Sequence, residues 1–365
     1  MFDPADLEAM LLLGGWTAAD RDTAQARAEA AALVARYPHE DPARLLNAIV
    51  EEKGAHWRRR VATGQAMVRA LLSGEMGRLP PRRFNLVFER TFHSQRLGRQ
   101  RLRIPCPITP DASVELLSAP GLTEQQPGRI ACSIMPLETA DAYMAARFSF
   151  TSDPLRERSS DKPDARHLSH REGLVAVTEM VKALAGQLIS AGAPAATQVA
   201  AFRAYAIDNI RCGMVPPHWV SGPATDWVIA HRWMDCRLGA ALMAALCRAR
   251  GIPARMVGGY LLWEAPMEHY WMEAWLPDHG WRPVDLLASD LSAAGEQTEW
   301  RGIYDGWIDY RMVTQRFPDV FTGAPMAGWP DAVHRLSRAV EGGTETRFVD
   351  ARTGTPLMID TIRTE

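Results

Sequence analysis

Cysteine is scarce in this 365-residue chain: there are five, at 106, 132, 212, 236 and 247, an odd number whose spacings outline no disulfide framework. Metal-ligand motifs are absent. The chain has no C-x-x-C and no H-E-x-x-H, and its ten histidines are scattered from His39 to His334, so neither a metal nor another cofactor is expected. His167 and His170 are three apart, but they fall in the polar stretch TSDPLRERSSDKPDARHLSH (151–170), where a linker or exposed loop is expected. There is no basic tract and the net charge is −2, which argues against nucleic acid as a partner. No apolar run approaches the roughly 18 residues needed to span a bilayer, so no membrane partner is expected. The opening MFDPADLEAM carries acidic residues and no basic n-region, unlike a secretory signal. No internal repeat or extended low-complexity segment is visible. These absences together point to a reducing, cytoplasmic setting in which a reactive thiol survives.

What is present is an ordinary globular composition, 47% apolar and 23% charged, in a length that suggests about two domains. Residues 4–78 have helical spacing in Ala-rich stretches such as AQARAEAAALVARY, giving an N-terminal helical segment over 1–80. From Phe84 to Phe150 the pattern changes to short alternating runs separated by turn clusters such as Thr109-Pro110-Asp111, giving a β-rich domain over 81–160. Helical spacing resumes at 171–190 and 195–211 and leads into a catalytic core over 161–320. A C-terminal extension, 321–365, is expected to pack on that core. The fold class is α+β.

The chemistry-bearing frame begins at Cys236. From Arg237 to Arg250 the chain reads as a helix that is apolar nearly all round, with Leu238, Ala241, Leu242, Ala245, Leu246 and Ala249 on one stripe. Gly251 and Pro253 stop it. Cys236 therefore opens a buried helix, where free backbone N–H groups and the helix dipole favour a thiolate and can face an oxyanion. Cys247 lies on the apolar surface of the same helix and is expected to be core; Cys106, Cys132 and Cys212 have no His or Asp frame and are expected to pack. Met256 to Trp263 reads as a strand in which Gly258-Gly259 suggests a bulge or close backbone packing. A second strand, HYWMEAWL, starts at His269 and places His269, Trp271, Glu273 and Trp275 on one face. Pro277-Asp278-His279-Gly280 turns the chain back, and Trp281 to Asp285 returns antiparallel. A turn centred near Pro277 sets Asp285 across from His269; one centred a residue or two later sets it opposite Trp271 or Glu273.

Cys236, Gly251-Ile252-Pro253-Ala254-Arg255, His269-Tyr270-Trp271-Met272-Glu273 and Gly280-Trp281-Arg282-Pro283-Val284-Asp285 follow in order at spacings that resemble the transglutaminase-like superfamily, whose core is papain-like. The resemblance covers roughly 200–290 and continues loosely through Tyr304-Asp305-Gly306-Trp307-Ile308-Asp309-Tyr310-Arg311, which is similar to a family tail motif. It implies a helix bearing the nucleophile packed on an antiparallel sheet. It also implies a Cys236–His269–Asp285 triad acting through an acyl-thioester. The donor would be an amide, ester or carrier-bound thioester, and the acceptor an amine. Transfer to water (a peptidase or amidase) and a non-catalytic binding module remain the alternatives. The sequence departs from the pattern at Met234, where Gly is common, at Leu286, where Pro is usual, and across Tyr205 to Cys212. Two loops, 213–232 and 263–268, are expected to shape the cleft, so Trp219, Trp227, Trp233, Trp263, Tyr270 and Trp271 are candidate substrate contacts. Trp227 and Trp233 are also candidate oxyanion donors. Glu264 and Glu268 are expected to be solvated loop carboxylates, with attraction of a cationic amine as their other role.

Overall fold

The computed structural model describes residues 23–36, 80–93, 100–134, 141–153, 161–212, 215, 217–262, 266–286, 310–318, 333–350, 353 and 355–365. Of the N-terminal helical segment, helix α1 (Thr23–Val34) is described; the helical pattern expected over the rest of 1–80 lies outside the described residues, as do Trp263, Glu264 and the tail motif before Tyr310.

The β-rich segment supplies β1 (Arg82–Phe92), β2 (Gln100–Pro105), β3 (Ser113–Ser118), β4 (Thr123–Gln126), β5 (Arg129–Ile134) and β6 (Ala142–Ser152). A two-stranded ribbon, β7 (Arg171–Glu172) and β8 (Val175–Ala176), leads to α2 (Glu179–Leu188) and α3 (Ala195–Asn209). Then come β9 (Arg211–Cys212), α4 (Ala224–His231), β10 (Trp233–Met234) and α5 (Cys236–Ala249). The chain continues through β11 (Ala254–Leu261), β12 (Met267–Leu276), β13 (Gly280–Val284), β14 (Arg311–Arg316), β15 (Val333–Val340), β16 (Gly343–Asp350) and β17 (Pro356–Thr364). The fold is α+β: α5 packs on the antiparallel sheet β13-β12-β11-β14. A six-stranded sheet, β15-β16-β17-β1-β6-β3, stands beside it, and β2-β5-β4 form a three-stranded one. Residues 333–364 thus continue the sheet of the β-rich segment through the β17–β1 pairing, Phe88 opposite Ile362.

Period-two patterning builds the six-stranded sheet. Phe84, Leu86 and Phe88 on β1 are buried and face Phe150, Phe148 and Ala146 on β6. Tyr260 and Met312 of the four-stranded sheet join this same apolar cluster, so the two sheets share a core; Tyr260 meets Phe88 edge-on at 6.2 Å.

Helix α5 is the centre of the other core. Asp235 caps it, its carboxylate accepting the Leu238 N–H at 3.0 Å, and Gly251 ends it at φ 70°. Leu238, Leu242 and Leu246 are sealed in, each contributing about 1.5–3 kcal/mol of burial. Arg248 is tolerated inside because its guanidinium is spent on the Ala254 and Ser169 carbonyls and on Glu172. Met272, Ala274 and Leu276 of β12 pack against this helix, while His269, Trp271 and Glu273 face the other way and are also buried. Glu273 pairs with Arg255 at 2.7 Å, and Arg255 lies 4.1 Å under the Trp281 ring.

The paired glycines do both things their spacing suggests. The β11–β14 register shifts between Gly258 and Gly259, and a Cβ on Gly259 would stand 2.1 Å from the Met312 carbonyl oxygen. His167 corrects an expectation: it is 5% exposed, sandwiched between Trp281 and Phe317, with Nδ1 3.0 Å from the Asp164 backbone N–H. The polar sequence around it concealed a short 3₁₀ turn (Ala165–Leu168) that points one ring inward; His170 is exposed. Replacing Gly259 by Ala is predicted to cost at least about 2 kcal/mol, because a strand backbone rather than a flexible side chain must move. Thermal and urea unfolding of Gly259→Ala measures this.

Candidate active site

Three elements converge on one cavity: the start of α5, the start of β12 and the end of β13. Met234, Cys236, His269, Tyr270, Trp271 and Asp285 are among its walls, and at about 20 Å³ it has room for about one water molecule. The β12–β13 hairpin pairs Leu276 with Gly280 and Met272 with Val284. That register centres the turn on Asp278, and continuing it sets Asp285 opposite Trp271, the second of the two arrangements the sequence allowed. His269 is two residues from Trp271 on the same face, and its ring still reaches across: Nε2 lies 2.9 Å and 3.0 Å from the two Asp285 oxygens. A charged carboxylate only accepts, so this pairing requires the proton on Nε2 and leaves Nδ1 as the lone-pair atom available to sulfur.

Asp285 is 2% exposed and has a second partner. Arg311 Nη1, from β14, lies 2.7 Å from Oδ2, and the Arg311 guanidinium lies 4.8 Å from the centre of the Trp271 ring. Sequence reasoning placed Arg311 at the end of a tail motif and assigned it no role; the signal was there, its partner was not. Likewise Asp235 was passed over, although an Asp directly before an apolar helical run is a capping signal. Arg237 pairs with Asp235 at 2.8 Å and donates to the Val215 carbonyl, bracing the turn before the helix.

The thiol of Cys236 is partly exposed and free. Burial, then the Asp235 carboxylate, push it up to about 12; Arg335, the backbone N–H of Tyr270 and Arg237 act in the opposite sense. Burial and the Asp235 carboxylate thus work against the thiolate that the helix start favours. Cys247, deeper in α5, is likewise pushed up to about 12 by burial, and it packs in the core with Cys106 and Cys132 buried elsewhere.

Of the candidate substrate contacts, Tyr270 and Trp271 line the cavity. Trp219, Trp227 and Trp233 do not. Trp227 is buried and stacks on His231 at 4.4 Å, and Trp219 meets Trp233 edge-on at 5.8 Å. Much of 213–232 is helix α4 rather than loop, which turns Trp227 into the helical core and away from an oxyanion. Glu268 is no solvated loop carboxylate: it lies in β12, accepts the Tyr270 hydroxyl at 2.7 Å and pairs with Arg335 of β15 at 2.5 Å. Arg335 holds its carboxyl below the usual range against the opposing effect of burial. Among the described residues, no group of three or more His, Cys, Asp or Glu side chains is arranged to hold a metal, and no helix is long and apolar enough to cross a membrane.

Residues 182–286 match the family model described as transglutaminase-like superfamily, so the chain carries a transglutaminase-like domain. A protein-glutamine gamma-glutamyltransferase of Pseudomonas aeruginosa is 33% identical over 116 residues, 28% of this chain and 17% of that relative's length. Among solved structures, a proposed cysteine protease from Cytophaga hutchinsonii aligns with 78% of this chain and all of its own at 14% identity and TM-score 0.44. The periplasmic domain of TgpA from Pseudomonas aeruginosa, bound to ethylmercury, aligns with 63% of this chain and 97% of its own at 21% identity and TM-score 0.36.

Two outcomes are predicted. Arg311→Met should destabilise the protein by about 3–5 kcal/mol, since it strands a buried carboxylate. Adding Asp285→Asn should recover much of that loss in urea titrations. For the thiol the sign is set by its raised value: the protonated form persists as pH rises, until pH nears about 12. The rate of iodoacetamide labelling at Cys236 should therefore climb steadily through about pH 7–10, without a plateau near pH 6; peptide mapping after timed quenching reads it.

Proposed function

We propose that the protein is a cysteine-dependent acyltransferase that forms an amide on an amine acceptor through a thioester on Cys236. The observation that carries this is the His269–Asp285 hydrogen bond in the cavity that also holds the Cys236 sulfur at the start of α5. The raised thiol dictates how the step runs. As Sγ bonds to the donor carbonyl carbon, its proton passes to His269 Nδ1, and the carbonyl electron pair becomes an oxyanion facing the Cys236 backbone N–H. His269, now charged and oriented by Asp285, returns the proton to the leaving amine, alcohol or thiol as its bond to carbon breaks. The incoming amine then attacks the thioester and gives a proton to His269, which passes it to Sγ as the C–S bond breaks, regenerating the thiol and the free imidazole.

One comparison favours an amine over water as acceptor. The relative matched over 28% of the chain is a gamma-glutamyltransferase, so a glutamine carboxamide is the first donor to offer. The four cysteines with described side chains that are free thiols support a reducing, cytoplasmic setting. Incubation with a glutamine-containing donor protein and a fluorescent primary amine should label the donor protein covalently. Cys236→Ala and His269→Ala should lose at least about 10²–10⁴-fold of this, and Asp285→Asn a comparable amount. Intact mass should show the acyl-enzyme on wild type alone. Release of free acid with no amine incorporated would make it a hydrolase; turnover and acyl-enzyme unchanged in Cys236→Ala would leave a binding module.

A further inference from the structure

Met234 and Leu286, two positions where this chain departs from the transglutaminase-like pattern, come together in the wall of the cavity that Cys236 also lines. Ala240 and Met243 lie four and seven residues after Cys236 on α5, hence on the same helical stripe, and both line that cavity with Val284. The cavity that holds the polar triad is therefore also walled by these apolar side chains. Gly239 explains how Met234 and Leu286 fit there. A Cβ on Gly239 would stand 2.7 Å from Leu286 Cδ1 and 3.0 Å from Met234 Sδ, so the missing side chain is the space these two ends occupy. Both residues are buried.

We propose that Met234 and Leu286 set acyl-donor specificity by closing an apolar pocket for the group attached to the reacting carbonyl, admitting a slim, short or unbranched chain and rejecting bulkier ones. This rests on acyl transfer through Cys236 as proposed above. With the acyl carbon on Sγ, the substituent that it carries is the part that enters the space over Ala240, and about 20 Å³ accommodates little more than a methyl group unless these two side chains move, as they must for a longer unbranched chain such as that of glutamine. Met is the more adaptable wall, being unbranched and flexible, and Leu286 the stiffer one.

The test uses the full-length protein and p-nitrophenyl esters of acetic, butyric, hexanoic and isobutyric acids, read by release of p-nitrophenolate. Wild type should favour acetyl over butyryl by at least about tenfold in kcat/KM, the scale at which an apolar pocket discriminates single methylenes, and should reject isobutyryl. Met234→Ala should bring the acetyl-to-butyryl ratio to about one or below; Leu286→Ala, a second variant should the first fold poorly, should relax isobutyryl rejection. Gly239→Ala should push both side-chain ends into the cavity and lower even acetyl turnover. A general folding defect would lower all esters together and leave the ratios alone. Unchanged ratios in both enlarged variants, or a wild type indifferent to chain length, would overturn the pocket. Ester turnover that survives Cys236→Ala would instead overturn the nucleophile, a separate failure.

Discussion

A carboxylate sealed from water is stable as an anion only if the surrounding fold supplies positive or donor groups at close range, and Asp285 is in that position. Its two oxygens are shared between His269 on β12 and Arg311 on β14, at 2.9 Å and 2.7 Å. Those strands lie on opposite sides of β11, so one side chain at the end of β13 ties together three strands of the core sheet across the one strand that separates them. The bulge at Gly258-Gly259 is where β14 changes register against β11, and it allows the Met312 backbone to approach within contact of a residue lacking Cβ. Arg311 enters the site one residue before Met312. The imidazole's tautomer, the closeness of β14 and the charge on Asp285 are thus one constraint seen from three sides.

The nucleophile obeys the same accounting of charge in a poorly solvated place. Asp235 caps α5 and so fixes where the helix begins, yet its negative charge raises the thiol it precedes. Arg237 offsets that charge locally, and Arg335 offsets it from a different sheet. Keeping the thiol protonated avoids holding a poorly solvated anion in a small cavity next to the Asp235 carboxylate.

Local signals in the sequence carried a good part of this. Helix α5 is legible because an all-round apolar run marks its body and Gly251 with Pro253 its end within a few residues, although its Asp235 cap has no part in that reading. Strand β12 is legible because bulky residues occupy both faces. The order of Cys236, His269 and Asp285 predicts the neighbourhood but not the register, since moving the turn by one residue shifts the pairing by two and leaves the composition unchanged. What escaped are pairings across long sequence separations. Nothing near Arg311 announces Asp285, nothing near Glu268 announces Arg335, and nothing in β17 announces β1, more than 260 residues earlier. His167 escaped for a different reason: its neighbours are polar and exposed, and only the capping contact with Asp164 turns the ring toward Trp281.

The union of the two sheets bears on chemistry as well as on architecture. Arg335 belongs to β15 of the six-stranded sheet, and Glu268 to β12, one residue before the base. Their ion pair orients the hydroxyl of Tyr270, whose backbone N–H in turn points at the Cys236 sulfur. Arg90 of β1 also grips Asp360 of β17 with Nε and Nη2, at 2.6 Å and 2.5 Å, which ties together the two central strands of the sheet whose edge strand is β15. A site built only from α5, β12 and β13 would leave Glu268 without its cation beside an already unfavourable thiolate. The strands near both ends of the described chain are therefore part of the electrostatic environment of the nucleophile, because the C-terminal sheet brings a guanidinium to a place where α5 and the hairpin supply two carboxylates.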